Sequence, residues 1–505
     1  MTVKVMYRLL ALIMTVFIFA SINTAQAVDD AYPSTYTYNY DYWSDIRESP
    51  DAYRVADVIY SGDLGLDVAM KKPQSLFVRN SDIYVADTGN NRILQIRRDG
   101  DDYTLLRIID RINGGEIETF NTPSDIYVDP DENIYIADTY NGRVVMVDKD
   151  LNFIKQFVKP TDATFDQSLS FLPSKLVVDV AGRVFLLATN VNKGLVKFES
   201  DTRFTGFVGA NKVSYNLAEY MWKTYFMTKE QRAQQASFVP TEYHNIYIDQ
   251  DSFIYATNTV FSEYDLLYDV AQPIRRLNGI GNDILIKNDR YPPIGDLYWI
   301  EQSQTQGPSK LVDITVMEND IYVVVDQTRG RIFGYDKQGV MLWAFGTSGN
   351  SDGAFTSTVS IEHMGRDLFV LDQLGGTITA FRPTEYGNMI YDANEAYLTG
   401  DYDGSAQIWE DVLKQNANYD LAFRGIGRAL MRQEKYKEAM SYFKMAHDRD
   451  SYGRAFRFYR KIWVEQNIGW LIAVLAAVMM IPLVLRMFRK MRMEVEAYER
   501  NKVQK

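Results

Sequence analysis

The chain has 505 residues, with 54 Lys and Arg against 66 Asp and Glu, three His and no Cys. That length exceeds one ordinary core, so two or more domains are expected, and the lack of cysteine excludes disulfides, thiolate metal sites and a thiol nucleophile. Setting aside the two basic residues of 1–27 and the seven basic and three acidic residues of 467–505 leaves a net charge of about −18, which repels nucleic acid and anionic polymers.

Lys4 and Arg8 precede an apolar run over 9–20, and Ala25-Gln26-Ala27 is a small-x-small cleavage site. Residues 1–27 therefore read as a secretory signal peptide. Residues 28–52 form a Tyr-rich lead-in, whose alternation over 34–42 suits a short strand. One phrase then occurs twice, YVADTGNNRI at 84–93 and YIADTYNGRV at 135–144, each after a Pro-led apolar segment. Four worn copies follow, led by segments at 173–178, 244–248, 312–316 and 359–363. Each copy supplies three strands, and a fourth leads towards the next. Six such copies predict a mainly β fold, a six-bladed propeller. The last copy lacks a fourth strand, whereas residues 53–60 form a strand without a blade. They are expected to complete the last blade and close the ring. The propeller then spans 53–382. Its insertion at 211–238 reads as helix, with Thr228 and Gln231 in capping-box spacing, and the connection over 260–307 is long.

The doubled phrase resembles NHL-repeat propellers, and the resemblance extends over about 53–382. It implies the fold. That family includes scaffolds, ligand binders, lactonase-like hydrolases and lyases, so it leaves the activity open.

Beyond 383 the apolar period changes from 2 to 3.6. Ala393, Tyr402, Ser405, Trp409 and Val412 recur 34 residues later as Gly427, Tyr436, Ala439, Phe443 and Ala446. The spacing is similar to tetratricopeptide (TPR) helix pairs, which are protein-interaction elements, and assigns 383–466 to TPR-like helices. Residues 468–485 carry no charge and as a helix cover roughly 27 Å, close to the hydrocarbon thickness. Trp463 and Trp470 sit at its upstream edge, and Arg486, Arg489, Lys490 and Arg492 follow it. The expected topology is one transmembrane helix at 467–486 and a basic cytoplasmic tail at 487–505. The chain is then single-pass in the cell membrane, with its N-terminal ectodomain outside.

Candidate chemistry starts with Asp87 and Arg92, Asp138 and Arg143, and Asp326 and Arg331, each pair five apart at the turn between second and third strands. A ring of carboxylates could hold a metal; alternatively each Asp pins its own turn through its Arg. Recurrence with the blade favours structural pairs. Blade six keeps Asp372 but has Thr377 in the Arg position, so Asp372 is expected to be unpaired and a ligand contact. His244, beside Tyr243, enters the innermost strand of blade four at the ligand-bearing end, while His363 falls near the opposite end of its strand. Trp222 and Tyr225 of the insertion could stack on a sugar or a partner side chain, or simply pack the helix onto the propeller.

Lactonase-like propellers of the gluconolactonase type bind a divalent cation through Glu and Asn or Asp at the inner strand entrances. The equivalents here are Gln74, Ser124, Ser174, His244, Val312 and Val359, with Asp125 and Asp313 one residue on. No catalytic residue, metal ligand or cofactor is assigned. The expected function is that of a membrane-anchored extracytoplasmic binding or scaffold protein. It would recruit a membrane protein, an envelope component or a glycan, within a transporter or envelope complex. The alternative is a propeller enzyme, a lactonase-like hydrolase or lyase, using a divalent cation with Asp372, Asp125 or His244.

Overall fold

The computed structural model describes residues 35–503 except 44, 190, 210–242, 263–264, 267–270, 288–291 and 298–306. The signal peptide and the insertion at 211–238, with Trp222 and Tyr225, lie outside the described residues.

Residues 53–384 build a six-bladed propeller. Blade one pairs Ser75–Arg79, Asp82–Asp87, Arg92–Asp99 and Asp102–Ile109 in sequence order. Blade two repeats the order with Pro123–Val128, Ile134–Asp138, Arg143–Val147 and Phe153–Val158, and blade three with Pro173–Val178, Val184–Ala188, Leu195–Phe198 and Phe204–Val208. Blade four has three strands among the described residues, Tyr243–Ile248, Ile254–Asn258 and Ile274–Leu277. Blade five runs Leu311–Val316, Tyr322–Asp326, Arg331–Tyr335 and Met341–Phe345. Blade six runs Thr358–Met364, Asp367–Asp372 and Thr377–Pro383, and its fourth strand is Tyr53–Ile59. Ile59 pairs with Ile378 and Val58 with Thr379, so the N-terminal strand closes the ring as expected. The first strands of successive blades neighbour one another around the axis, and the sixth meets the first.

The second strands are apolar on both faces because each sits between two blades. Ile83 and Val85 pack with Phe369, Leu371 and Ile378 of blade six, while Tyr84 and Ala86 pack with Ile126, Ile136 and Val145 of blade two. Strand alternation thus feeds two inter-blade cores at once. The Tyr-rich lead-in contributes a strand as well. Tyr38 pairs with Ala344 at the outer edge of blade five, and its hydroxyl donates to the Asp296 carboxylate at 2.7 Å.

The second compact unit is helical and includes residues 39–47. Its helices are α1 (Glu385–Thr399), α2 (Tyr402–Gln415), α3 (Asp420–Arg432), α4 (Tyr436–Met445) and α5 (Arg449–Val503). Each packs on the next in chain order. Small residues permit the crossings: a Cβ on Gly425 would strike Trp409, and one on Gly427 would strike Phe443. His447 stacks within the same unit, 4.8 Å from the Tyr42 ring and 5.0 Å from Trp43. Helix α5 continues unbroken through 468–485, including Pro482, and its most apolar stretch has no buried residue. It is long and apolar enough to cross a membrane.

Candidate functional site

The channel is lined by the first strand of every blade. In blades two to six the residue two places after the strand's opening position is polar, Asp125, Lys175, Asn245, Asp313 and Ser360, and Ser75, which opens the strand of blade one, makes the sixth of the set. In blades two to six a register shift at the first pair sets this position, between Pro123 and Asp125, Pro173 and Lys175, Tyr243 and Asn245, Leu311 and Asp313, and Thr358 and Ser360. A shift of this kind re-aims the side chains that follow it.

These six form a girdle stitched across blade boundaries. Ser75 Oγ donates to Asp125, whose other oxygen accepts the Leu176 N–H at 2.7 Å. Three blades on, Asn245 donates to Asp313, which also accepts Ser360 Oγ at 2.7 Å and the N–H groups of Ile361 at 2.8 Å and Ile314 at 2.7 Å. Ser360 Oγ in turn accepts the Leu76 N–H at 3.1 Å. Lys175 Nζ lies 3.6 Å from Asp125 Oδ1 and donates to the Gln74 carbonyl at 3.3 Å. Burial raises the Asp313 pKa to about 6, against the pull of Lys175 and of its hydrogen-bond donors.

On the strand-entrance side of the girdle lies a cavity of about 450 Å³, lined by Gln74, Ser174, Lys175, Asn192, Tyr243, His244, Gln327 and Gln373 among others. The structure thus brings His244 and Tyr243 together at one mouth. The His244 ring is accessible there, yet the enclosing strand ends and the Lys175 ammonium lower its pKa to about 4. Tyr243 donates through its hydroxyl to the Gly209 carbonyl at 2.7 Å. His363 lines a different cavity on the other side of the girdle, so the two histidines do not share a site.

The recurring Asp residues are turn hardware. Asp87 accepts the Lys71 N–H at 2.7 Å, and Asp138 accepts the Asn121 N–H at 2.8 Å. Each thereby ties the loop entering its blade to the turn between its second and third strands. Arg92 donates to Asp87 at 2.6 Å and Arg143 to Asp138 at 2.9 Å, and the same guanidinium groups reach the carbonyls of Val68 and Ile117. Thr88 and Thr139 donate at 2.8 Å to Pro123 and Pro173, the opening residues of the next blade. The turn ends on a left-handed residue, Asn91 at φ 55° or Gly142 at φ 65°.

Two expectations need correction. In blade five the cation beside Asp326 is Arg329, at 3.7 Å, and not Arg331. Arg329 also donates to the Gly307 carbonyl at 2.6 Å, taking the place that Arg92 and Arg143 hold in their blades. It stands three residues after the Asp, where the others have Asn90 and Asn141, so its guanidinium arrives from another position. The Arg331 guanidinium lies instead over the Tyr38 ring, 4.9 Å from its centroid. Asp372, expected to be unpaired, is saturated: it accepts the N–H groups of Thr356, Ser357, Leu374 and Gly375 at 2.6–3.1 Å, and the Thr356 hydroxyl at 2.7 Å. It has no lone pair left over for a ligand.

The family model described as "NHL repeat" matches residues 120–145, from the loop entering blade two to its third strand. Blade two thus matches the NHL-repeat pattern. Blades one and two both carry every part of the Asp–Thr–Asn–Arg turn, whereas blades five and six depart from it as described. No curated protein sequence matches the chain. Among solved structures, a streptogramin B lyase is similar at 11% identity and a TM-score of 0.36, covering 69% of this chain and 87% of its own. A catalytically inactive virginiamycin B lyase from Staphylococcus aureus with quinupristin is similar at 12% identity and a TM-score of 0.39, covering 65% of this chain and 99% of its own. A protein of unknown function from Bacteroides thetaiotaomicron is similar at 13% identity and a TM-score of 0.39, covering 62% of this chain and 70% of its own. At these values the likenesses carry no argument about activity.

Of the girdle, Asp125 and Asp313 stood out in the sequence, whereas Ser75, Lys175, Asn245 and Ser360 did not. Their signal was present nonetheless: a polar residue at the equivalent place in all six first strands.

Proposed function

We propose that this chain is a membrane-anchored binding protein whose NHL-type propeller holds a protein or glycan partner at the strand-entrance mouth of its channel. The observation that carries this reading is the lining of that mouth. Gln74, Asn192, Gln327 and Gln373 present amides, Ser174 a hydroxyl and His244 a ring kept neutral at physiological pH; among the described residues of the lining none is a carboxylate, and the one cation, Lys175, is turned to Asp125 of the girdle. Neutral donors and acceptors around a concave opening suit sugar hydroxyls or the polar tip of a protein loop. Helix α5 supplies the anchor, and the basic run from Arg486 to Arg492 favours a cytoplasmic tail with the propeller outside. The helices of the second unit, with their TPR-like spacing, provide a further docking surface within a membrane assembly. The competing reading, a hydrolase or lyase built on Asp372 or Asp125 with a divalent cation, meets carboxylates already occupied by protein donors.

The test is site-specific photo-crosslinking in intact membranes from positions 327 and 373, with mass-spectrometric identification of the adducts. One recurrent partner captured from both positions, and lost with the mouth variant Gln74→Arg, supports the proposal. Equal capture from an outer-strand position such as 106 sinks it, as does a tightly bound divalent ion released from the purified chain together with lactone or ester hydrolysis.

A further inference from the structure

The opposite end of the channel is a separate cavity of about 580 Å³, within the range of small-molecule sites. Its floor is the girdle, with Asp125, Asn245 and Asp313, and its walls include Phe77, Tyr127, Tyr247, Glu362 and His363. Of the carboxylates around its outer rim, Asp129, Asp179 and Asp249 are consumed by turns, and Glu318 is exposed to solvent. Asp129 accepts the N–H groups of Asp131 and Asn133, and Asp179 those of Ala181 and Arg183. Asp249 accepts those of Asp251 and Phe253 and also pairs with Arg276 at 2.8 Å. The single cation of the lining, Arg79, also stands at the rim.

Glu362 differs from all of these. It is only 7% exposed and lines the cavity, yet its carboxyl has just two donors, the Thr315 hydroxyl at 3.2 Å and the His363 N–H. Asp313, one layer deeper, has four. A carboxylate can accept about four hydrogen bonds, so Glu362 is a buried acid with spare capacity aimed into open space. Burial and the neighbouring charges of Asp313 and Asp125 hold its pKa well above the usual carboxylate range. Thr315 Oγ1 also lies 2.6 Å from His363 Nδ1, and burial lowers the His363 pKa to about 4, so this ring brings no positive charge to the acid at neutral pH.

The walls complete the pattern. Phe77 and Tyr127 form a tilted pair with centroids 5.0 Å apart, and Tyr247 rises from the next layer of blade four, its hydroxyl donating to the Val316 carbonyl at 3.4 Å. All three rings are half-buried and keep surface open to the cavity. Aromatic faces around an under-coordinated acid, in a lining with an excess of carboxylates, match an ammonium group: the rings attract it by their quadrupoles, and the cation pulls the raised pKa of the acid back down, so that Glu362 ionises as the cation enters and supplies the counter-charge. A metal ion would need several free oxygens at one point, and among the described residues no group of three or more carboxylate or imidazole ligands is so placed.

We propose that this end of the channel is a binding site for an organic ammonium ion, with Glu362 as its counter-charge and Phe77, Tyr127 and Tyr247 as its walls. The site lies across the girdle from the mouth proposed to hold the partner, and does not depend on it.

The test is isothermal titration calorimetry on the full-length chain in detergent micelles, with choline, butylamine and 3,3-dimethylbutan-1-ol, the neutral isostere of choline. At least one of the two ammonium probes should bind saturably, and choline or butylamine should bind about tenfold or more tighter than the neutral alcohol. Glu362→Gln keeps the shape and imitates the protonated acid, so it should melt within a few degrees of the parent while losing about tenfold or more of the affinity. Phe77→Leu should weaken binding by a smaller factor. No heat with either amine overturns the proposal, and so does equal affinity for choline and its isostere. Unchanged affinity in Glu362→Gln, or calcium or magnesium binding through Glu362 in preference to either amine, overturns it as well.

Discussion

Blades two and five perform the same task with different residues. In blade two Asp138 holds the entering loop, and Arg143, five residues on, bridges that carboxylate to the Ile117 carbonyl. In blade five Asp326 holds its loop through the Lys310 N–H at 2.8 Å and the Ser309 hydroxyl at 2.8 Å, while the bridging cation comes from Arg329. The part common to both is the carboxylate on the loop amide. The arginine is a reinforcement that can arrive from either side of the left-handed residue, Gly142 or Gly330. Its relocation leaves Arg331 over Tyr38, so blade five adds a strand from the N-terminal lead-in where blade two has none.

The largest effect expected from this comparison is at Asp138. Asp138→Ala leaves Arg143, 2% exposed, without its counter-charge, and should cost about 3–5 kcal/mol in denaturant unfolding of the propeller. A loss under 1 kcal/mol would mean that the pair is not the pin. Next comes Arg329→Ala, which removes an ion pair and a bond to Gly307 from a site where the arginine side chain is 6% exposed, and should cost about 2 kcal/mol. Arg331→Ala should cost less, about 1 kcal/mol, since it removes a stacked cation only. If Arg331→Ala proves more damaging than Arg329→Ala, the exchange of roles in blade five is wrong.

The girdle extends the comparison to pH. Asp125 of blade two has Lys175 beside it, whereas Asp313 of blade five has only neutral donors in direct contact and a pKa raised by burial to about 6. A carboxyl whose folded pKa exceeds its unfolded value binds its proton more tightly in the native state. Its contribution to stability is therefore full below about pH 4 and is lost as pH rises through 6. Urea midpoints measured between pH 4 and 6.5 should fall less steeply in Asp313→Asn than in the parent. An unchanged slope would place the titration elsewhere.

Much of this was legible in the primary structure. The doubled phrase carries its turn chemistry in order: Asp for the loop amide, Thr for the next blade, Asn and Arg for the entering loop, and Asn or Gly for the left-handed position. Such local bonds depend on residues a few places apart, so spacing alone exposes them. The closing strand was legible too, since one strand without a blade and one blade without a strand leave a single pairing.

The partner of Asp326, the saturation of Asp372 and the girdle were decided elsewhere. The recurring five-residue spacing favoured Arg331 for Asp326, but the choice fell to which guanidinium could also reach Gly307. Asp372 looked unpaired because its donors are mostly backbone amides, which no residue letter announces. The girdle depends on a register shift that re-aims the inner strands of blades two to six, and on ring closure that brings Ser360 to Leu76 across 284 positions. By itself the sequence determined which turns form and how many blades follow, because those rest on short-range stereochemistry and alternation. Only the tertiary structure decided which polar groups were left with spare bonding capacity inside the channel, because that is settled by every blade at once.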